Sequence, residues 1–485
     1  MRRFWLISLV VALAVLLTLP AFAEHDIGGF IRIKGWVSNF GPNAGYIEGY
    51  NTSLKNQLSK DPSTTSFVEE RARLKFKFKG NEYVTGIAYF ELDQDWGGSA
   101  YTNGRNVGGA LEADTTNLET KNLYIDFRVP DTTLALRAGV QNVTDAYAGT
   151  IVGVADMAGV FGTYKIDPVS FRFGWAKWWE NDRTQADDVD FYLLEGKFTP
   201  VENFKLGLNL YLIKDGVGAD GYVDKREKGT GGGTIPVGQR GPALAWTPAE
   251  IDVRGKASLY YVGFDASYKL DVATISGFFF YNFGTFDKAA LGGTKDLDVG
   301  GFAADLRADA KLGPGKGFIE LLYVSGDDNP NDDSYDSILT ASNYNLAASF
   351  YYRMDTQILL PNGDDINSSP ALAYDVANKG RGLLAVAAGY SMKLTDDLTG
   401  KIGVGYMQDA EKDYANTDPF GGTVRKAGQE ASAFEINAKV NYQITKGLTF
   451  GLYGAYASLS DYYAGSTADE ADDLYMTYAR LQLKF

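Results

Sequence analysis

Apolar and polar positions alternate along most of this chain, in blocks of strand length separated by turn-forming residues. In the last block, Ala479, Leu481 and Leu483 share one face, and Arg480, Gln482 and Lys484 share the other. Arg71, Arg73, Lys75, Lys77 and Lys79 alternate with Ala72, Leu74, Phe76 and Phe78 in the same way. So do Arg32 and Lys34 with Ile31 and Ile33, and Asn122, Tyr124, Asp126 and Arg128 with Leu123, Ile125, Phe127 and Val129. Asp305, Arg307 and Asp309 alternate with Ala304, Leu306 and Ala308, and Glu435, Asn437, Lys439 and Asn441 with Phe434, Ile436, Ala438 and Val440. Arg137, Arg172, Lys205 and Asp265 hold equivalent positions elsewhere. A period of two sends neighbouring side chains to opposite faces of a strand. One apolar face and one charged face suit a wall between lipid and a wet interior. A soluble sandwich strand shares that pattern, so no single segment separates the two.

The whole set of segments does. The pattern predicts strands near 27–40, 67–79, 82–94, 119–129, 132–142, 157–166, 168–180, 187–198, 204–214, 255–270, 272–284, 298–311, 316–326, 381–394, 398–410, 430–444, 447–460 and 471–485. That is about eighteen strands, with sixteen as the nearest alternative. Their joints alternate in length. Lys79-Gly80-Asn81-Glu82, Val129-Pro130-Asp131, Leu312-Gly313-Pro314-Gly315 and Thr445-Lys446-Gly447 are tight-turn sequences. The joints at 41–66, 95–118, 215–254, 327–380 and 411–429 are long and polar. Short turns at one end and long loops at the other are the habit of bacterial outer-membrane barrels, and a sandwich has no reason to keep it. The predicted fold is therefore all-β, a transmembrane antiparallel up-and-down β-barrel over residues 24–485.

The N-terminus agrees. Met1-Arg2-Arg3, an apolar run from Phe4 to Leu19 and Ala21-Phe22-Ala23 read as a signal peptide over 1–23, cleaved before Glu24. Mean hydropathy is only -0.19, as expected when alternate residues alone face lipid. With no cysteine and one histidine, His25, thiolate and imidazole metal sites are ruled out. The formal net charge of -15 becomes about -17 without Arg2 and Arg3, which excludes nucleic acid as a partner. Cations lead on the inward faces, so the acidic excess belongs mainly to the loops.

Over essentially all of the mature chain the sequence resembles a Gram-negative outer-membrane porin. The terminal Phe485 matches the signal that family presents to the barrel-assembly machinery. The stretch from Val324 to Asp332 also resembles a Ser-Gly-Asp-x-Asn-Pro-x-Asp motif of alginate-export-type porins. The resemblance implies a cell outer-membrane location, contacts with lipid and lipopolysaccharide, and passage of small hydrophilic solutes. It leaves monomer and homotrimer both open. It also implies a constriction loop, for which 143–156 is the third external loop, with 215–254 and 327–380 as rivals.

The expected function is passive diffusion through a charged, water-filled lumen. A selective oligosaccharide or organic-anion channel and a sheath around a partner protein are the alternatives. An enzyme is not expected, since no G-x-S-x-G surrounds a serine and His25 falls at the mouth. The pore-lining set is Arg32, Lys34, Arg71, Arg73, Lys75, Lys77, Tyr124, Asp126, Arg128, Arg137, Arg172, Asp305, Arg307, Glu435, Lys439 and Arg480. No cofactor is expected. The carboxylates of Asp327, Asp328, Asp332, Asp333 and Asp336 offer oxygens that suit Ca²⁺, although a solvated acidic loop is the stronger reading. Gly229–Thr234 reads as a flexible loop, because no Lys-Ser/Thr pair follows it. Trp36, Trp96, Trp175, Trp178, Trp179, Tyr351 and Tyr352 suit interfacial girdles, with a sugar-stacking track inside the pore as the alternative for some of them.

Overall fold

The computed structural model describes residues 24–39, 64–98, 106–111, 118–153, 155–180, 183–184, 186–216, 256–290, 295–328, 333–344, 354–360, 372–373, 376–411, 431–461 and 471–485. The expected signal peptide 1–23, most of the expected 215–254 loop with its glycine run, Asp332, Tyr351 and Tyr352 lie outside the described residues.

Twenty strands are described. In chain order they are β1 (Glu24–Ser38), β2 (Thr65–Lys79), β3 (Val84–Trp96), β4 (Asn106–Gly109), β5 (Glu119–Arg128), β6 (Ala135–Val143) and β7 (Ala155–Ile166). They continue as β8 (Val169–Trp179), β9 (Val189–Val201), β10 (Phe204–Asp215), β11 (Ala257–Lys269), β12 (Ala273–Ala290), β13 (Lys295–Leu312) and β14 (Gly315–Val324). The last six are β15 (Ser334–Tyr335), β16 (Leu383–Lys393), β17 (Leu398–Asp409), β18 (Ser432–Thr445), β19 (Leu448–Leu459) and β20 (Leu474–Lys484). Eighteen of them pair antiparallel, each with its neighbours in sequence, and β1 closes on β20. β4 and β15 are short parallel additions to β3 and β13. The alternation could not reveal these two, because four and two residues are too few to show a period.

Side-chain orientation follows the sequence pattern. On β5, Leu123 and Ile125 are 57% and 56% exposed, while Tyr124 and Asp126, which alternate with them, are half-buried. A wall that shows leucine and isoleucine outward and charge inward is inverted relative to a soluble protein and matched to lipid. Eight short connections and both ends of the described chain lie at one rim. Their turns use the left-handed conformation at Asp131, Asn203, Gly313 and Gly447, with φ of 59°, 65°, 56° and 83°. Asn, Asp and Gly tolerate that region where other residues resist it.

The tryptophans divide. Trp96 and Trp175 face outward at 56% and 37% exposure, but Trp36 and Trp178 are inward and buried. Trp36 shares the parity of Arg32 and Lys34, so it cannot sit in a lipid-facing girdle. Trp179 packs against the interior cluster as well.

The seam between β1 and β20 ends on two main-chain bonds. Gly29 N donates to Phe485 O at 2.9 Å and Phe485 N donates to Gly29 O at 3.2 Å. The Phe485 ring itself is 53% exposed and adds little packing. Each bond contributes about 0.5–1.5 kcal/mol net. Deleting Phe485 should therefore lower the stability of refolded barrel only slightly while sharply reducing its level in the outer membrane. Surface quantification beside denaturant melts checks this, and normal surface levels would contradict it.

Candidate functional site

The positive ladder on β2 meets acidic residues on both neighbouring strands, and strand register decides where. Arg71 stands opposite Asp93 and Arg73 opposite Glu91 on β3, whereas Lys75 meets Tyr89 there and Gly28 on β1, and Lys77 meets Ile87 there and Asp26 on β1. Arg71 grips Asp93 bidentately, Nε to Oδ1 at 2.6 Å and Nη2 to Oδ2 at 2.7 Å, and Arg73 pairs with Glu91. Such fork-shaped, charge-assisted bonds are strong and directional. Lys34 is buried against Glu69 at 3.2 Å, with the Trp36 and Tyr478 rings 4.2 and 4.9 Å from its ammonium. Arg32, Lys34 and Arg71 thus point inward but are covered by neighbours, while Lys75 and Lys77 are exposed to the lumen.

The remaining candidates form paired stations around the wall. Arg137 binds Asp126 at 2.6 and 3.0 Å and lies over the Tyr124 ring at 4.2 Å. Arg172 donates to Glu195 and to Thr144 O, and Arg307 is held by Asp309 and Glu320. Arg480 donates to Asn441 and sits over Tyr453. Arg128 is exposed near the short-turn rim, and Asp305 is half-buried. The partners Glu91, Asp93, Glu195 and Glu320 were absent from the predicted set. Their signal is inward parity opposite a basic residue, which appears only once register is known.

Two connecting segments fold into the barrel, and buried carboxylates hold both. Residues 144–153, the predicted third loop, are organised around Asp145. Its Oδ1 accepts from the N–H groups of Tyr147 and Gly149, and its Oδ2 from those of Ile151 and Val152. Tyr147 is buried between Phe280, Phe278 and Tyr211, with ring centroids 4.7–5.6 Å away. Described parts of 327–380 pack beside it. Ile338, Leu339, Ile358, Leu359 and Val376 are fully or almost fully buried. Ala341 N donates to Ile151 O, joining the two segments, and Asn282 and Tyr261 on the wall bind the main chain of Leu339.

Glu435 changes role in consequence. Its parity is inward as expected, but it is wholly buried and accepts from the N–H groups of Gln357, Ile358 and Leu359 and from Asn437 Nδ2. It fastens the segment 354–360 and does not meet lumen water. Opposite it stands Gly405, where a Cβ would approach Thr356 Cγ2 to 2.6 Å, so the missing side chain lets the segment reach the wall. Lys439 contacts Asp355 of the same segment at 3.4 Å.

In the stretch that resembles alginate-export-type porins, Ser325 Oγ donates to Asp336 O and Asp327 N donates to Gly380 O. Carboxylate oxygens of Asp327, Asp328 and Asp336 come within 4.8 Å of one another. Asp333 instead uses its carbonyl, which accepts from Asp298 N.

The barrel is similar to two crystal structures from Pseudomonas aeruginosa. OpdL shares 11% identity at a TM-score of 0.52, covering 95% of this chain and 99% of its own. OpdQ shares 12% at 0.50, covering 95% and 97%. At such identities the likeness is one of fold. No family model matches the chain, and no curated protein matches it.

Two outcomes follow from the carboxylate anchors. Replacing Glu435 by Ala strands three buried N–H groups at about 1–3 kcal/mol each. Segment 354–360 should then be cut by protease added to folded barrel, with higher single-channel conductance. Protection and conductance like the wild type would contradict this. Burial raises Asp145 from 3.8 to about 6, against the lowering effect of its four N–H donors. A docked carboxyl with a raised pKa favours docking most below the ordinary value, and that advantage is lost as pH rises through about 6. Intrinsic-rate-corrected amide exchange at Ile151 and Val152 should therefore quicken between pH 4 and 6.5; flat protection or the reverse trend would refute it.

Proposed function

We propose that this protein is an outer-membrane diffusion channel for small hydrophilic solutes, with a preference for anions. The observation that carries the preference is the imbalance of charge in the short-turn half of the lumen. Lys75, Lys77, Lys197, Lys205, Lys316 and Lys393 are exposed there on inward-facing positions. The buried stations at Arg71 and Arg73 are already matched by Asp93 and Glu91 and contribute little net field. At physiological salt, charges beyond about 8–10 Å are screened, so local lysines outweigh distant loop carboxylates. Pores that pass anions use Arg and Lys in this manner.

The inward segments support a channel over a sheath. Residues 144–153, 338–344 and 354–360 occupy the lumen that an enclosed partner protein would need. They narrow the path and bring it against the basic wall. In this reading the N-terminal 1–23 directs export, Phe485 addresses the assembly machinery, and the outward apolar band meets lipid and lipopolysaccharide.

Planar-bilayer recordings in a salt gradient should give a reversal potential on the anion side. Lys75→Gln combined with Lys77→Gln should move it towards zero, whereas Arg71→Gln should shift it less. Cation preference in the wild type, or no response to the lysine pair, would overturn the proposal.

A further inference from the structure

Lys401 and Lys439 are direct cross-strand partners on β17 and β18, both on the inward face. Like charges placed directly opposite on a sheet repel and destabilise it. Asp355 bridges the pair, contacting Lys401 through Oδ2 and Lys439 through Oδ1. Asp355 belongs to the inward-folded segment and not to the wall.

Two observations make this contact more than neutralisation. The clamp of Glu435 on residues 357–359, with Asn437 reaching Asp355 O at 3.4 Å, delivers that carboxylate to the lysines. The contact also stays reachable from the lumen, because Lys401, Lys439 and Asp355 keep 21%, 14% and 15% exposure. Nearby, Arg307 is saturated by Asp309 and Glu320, and its guanidinium and the Lys401 ammonium share the Phe318 ring at 4.2 and 5.2 Å.

We propose that Lys401 and Lys439 form a binding site for a small oxyanion, and that Asp355 is a tethered carboxylate occupying it until a solute displaces it. The inference deepens the anion-channel reading and rests on it for its physiological use. A free carboxylate or phosphate can exchange for Asp355 with no net change in ion pairing, so the site binds in passing without trapping its solute. The segment then acts as a competitor built into the pore.

The test is calorimetric titration of the folded, detergent-solubilised full chain with succinate and, separately, inorganic phosphate, using chloride as the control for bulk charge. Removing the competitor with Asp355→Asn should tighten oxyanion binding about tenfold, the scale of one charge-assisted hydrogen bond. Asp355→Glu should bind as the wild type does. Adding Lys401→Gln and Lys439→Gln to Asp355→Asn should abolish the gain. Tightening with succinate alone would assign the site to carboxylates, and with phosphate alone to phosphates. No tightening in Asp355→Asn, a gain that survives loss of both lysines, or an equal gain for chloride would overturn the proposal. Bilayer conductance of the same preparations separates the two readings. Conducting barrels without the calorimetric effect remove only this inference, whereas tightened binding in barrels that pass no ions removes only the channel.

Discussion

Every backbone donor and acceptor in a membrane-embedded sheet must find a partner within the protein, and this single demand shapes the molecule. Lipid offers no hydrogen bonds, so an open strand edge is excluded and the first wall strand has to meet the last. Here β1 and β20 do so over Phe30–Ser38 and Met476–Lys484, with Gly29 and Phe485 extending the seam. Closure fixes parity all round the barrel. Parity in turn forces every charged alternate residue into one shared interior.

That interior raises a second demand of the same kind. Segments that fold inward bring their own backbone N–H groups away from bulk water. Asp145 takes four of them and Glu435 takes three. A carboxylate is suited to this because its two oxygens accept several bonds at once. Carboxylates thus position the constriction, Glu435 from the wall and Asp145 from within its own segment, and exposed lysines are left facing the passage. Arg71 and Arg73 fall on the structural side of that division, and Lys75 and Lys77 on the open side.

The wall was legible in the sequence to a high degree. Predicted strands such as 204–214 and 398–410 stand against Phe204–Asp215 and Leu398–Asp409. Period-two alternation and turn residues are local signals, and barrel strands are built from local signals. β12 and β13 extend past their predicted ends at 284 and 298, where their outer ends pair with each other beyond the clear alternation. The interior was legible only in part. Inward parity was read for Glu435 and Lys34 and overlooked for Trp36, and the burial of all three was hidden, because it depends on segments distant in sequence. Glu435 meets Ile358 across 77 residues. Lys401 escaped notice for a simpler reason: its neighbours Gly400 and Gly403 blur the alternation.

The central claim is a wall with lipid on one side and an anion-enriched passage on the other, and the chain's lack of cysteine makes it directly measurable. Single cysteines at Tyr89, the inward partner of Lys75, and at its outward neighbour Ala88 would be treated with charged methanethiosulfonates in bilayers. The account predicts that Tyr89→Cys reacts with both reagents, faster with the negative one, and that Ala88→Cys reacts with neither. Equal labelling at the two positions, or faster reaction with the positive reagent at position 89, would contradict it.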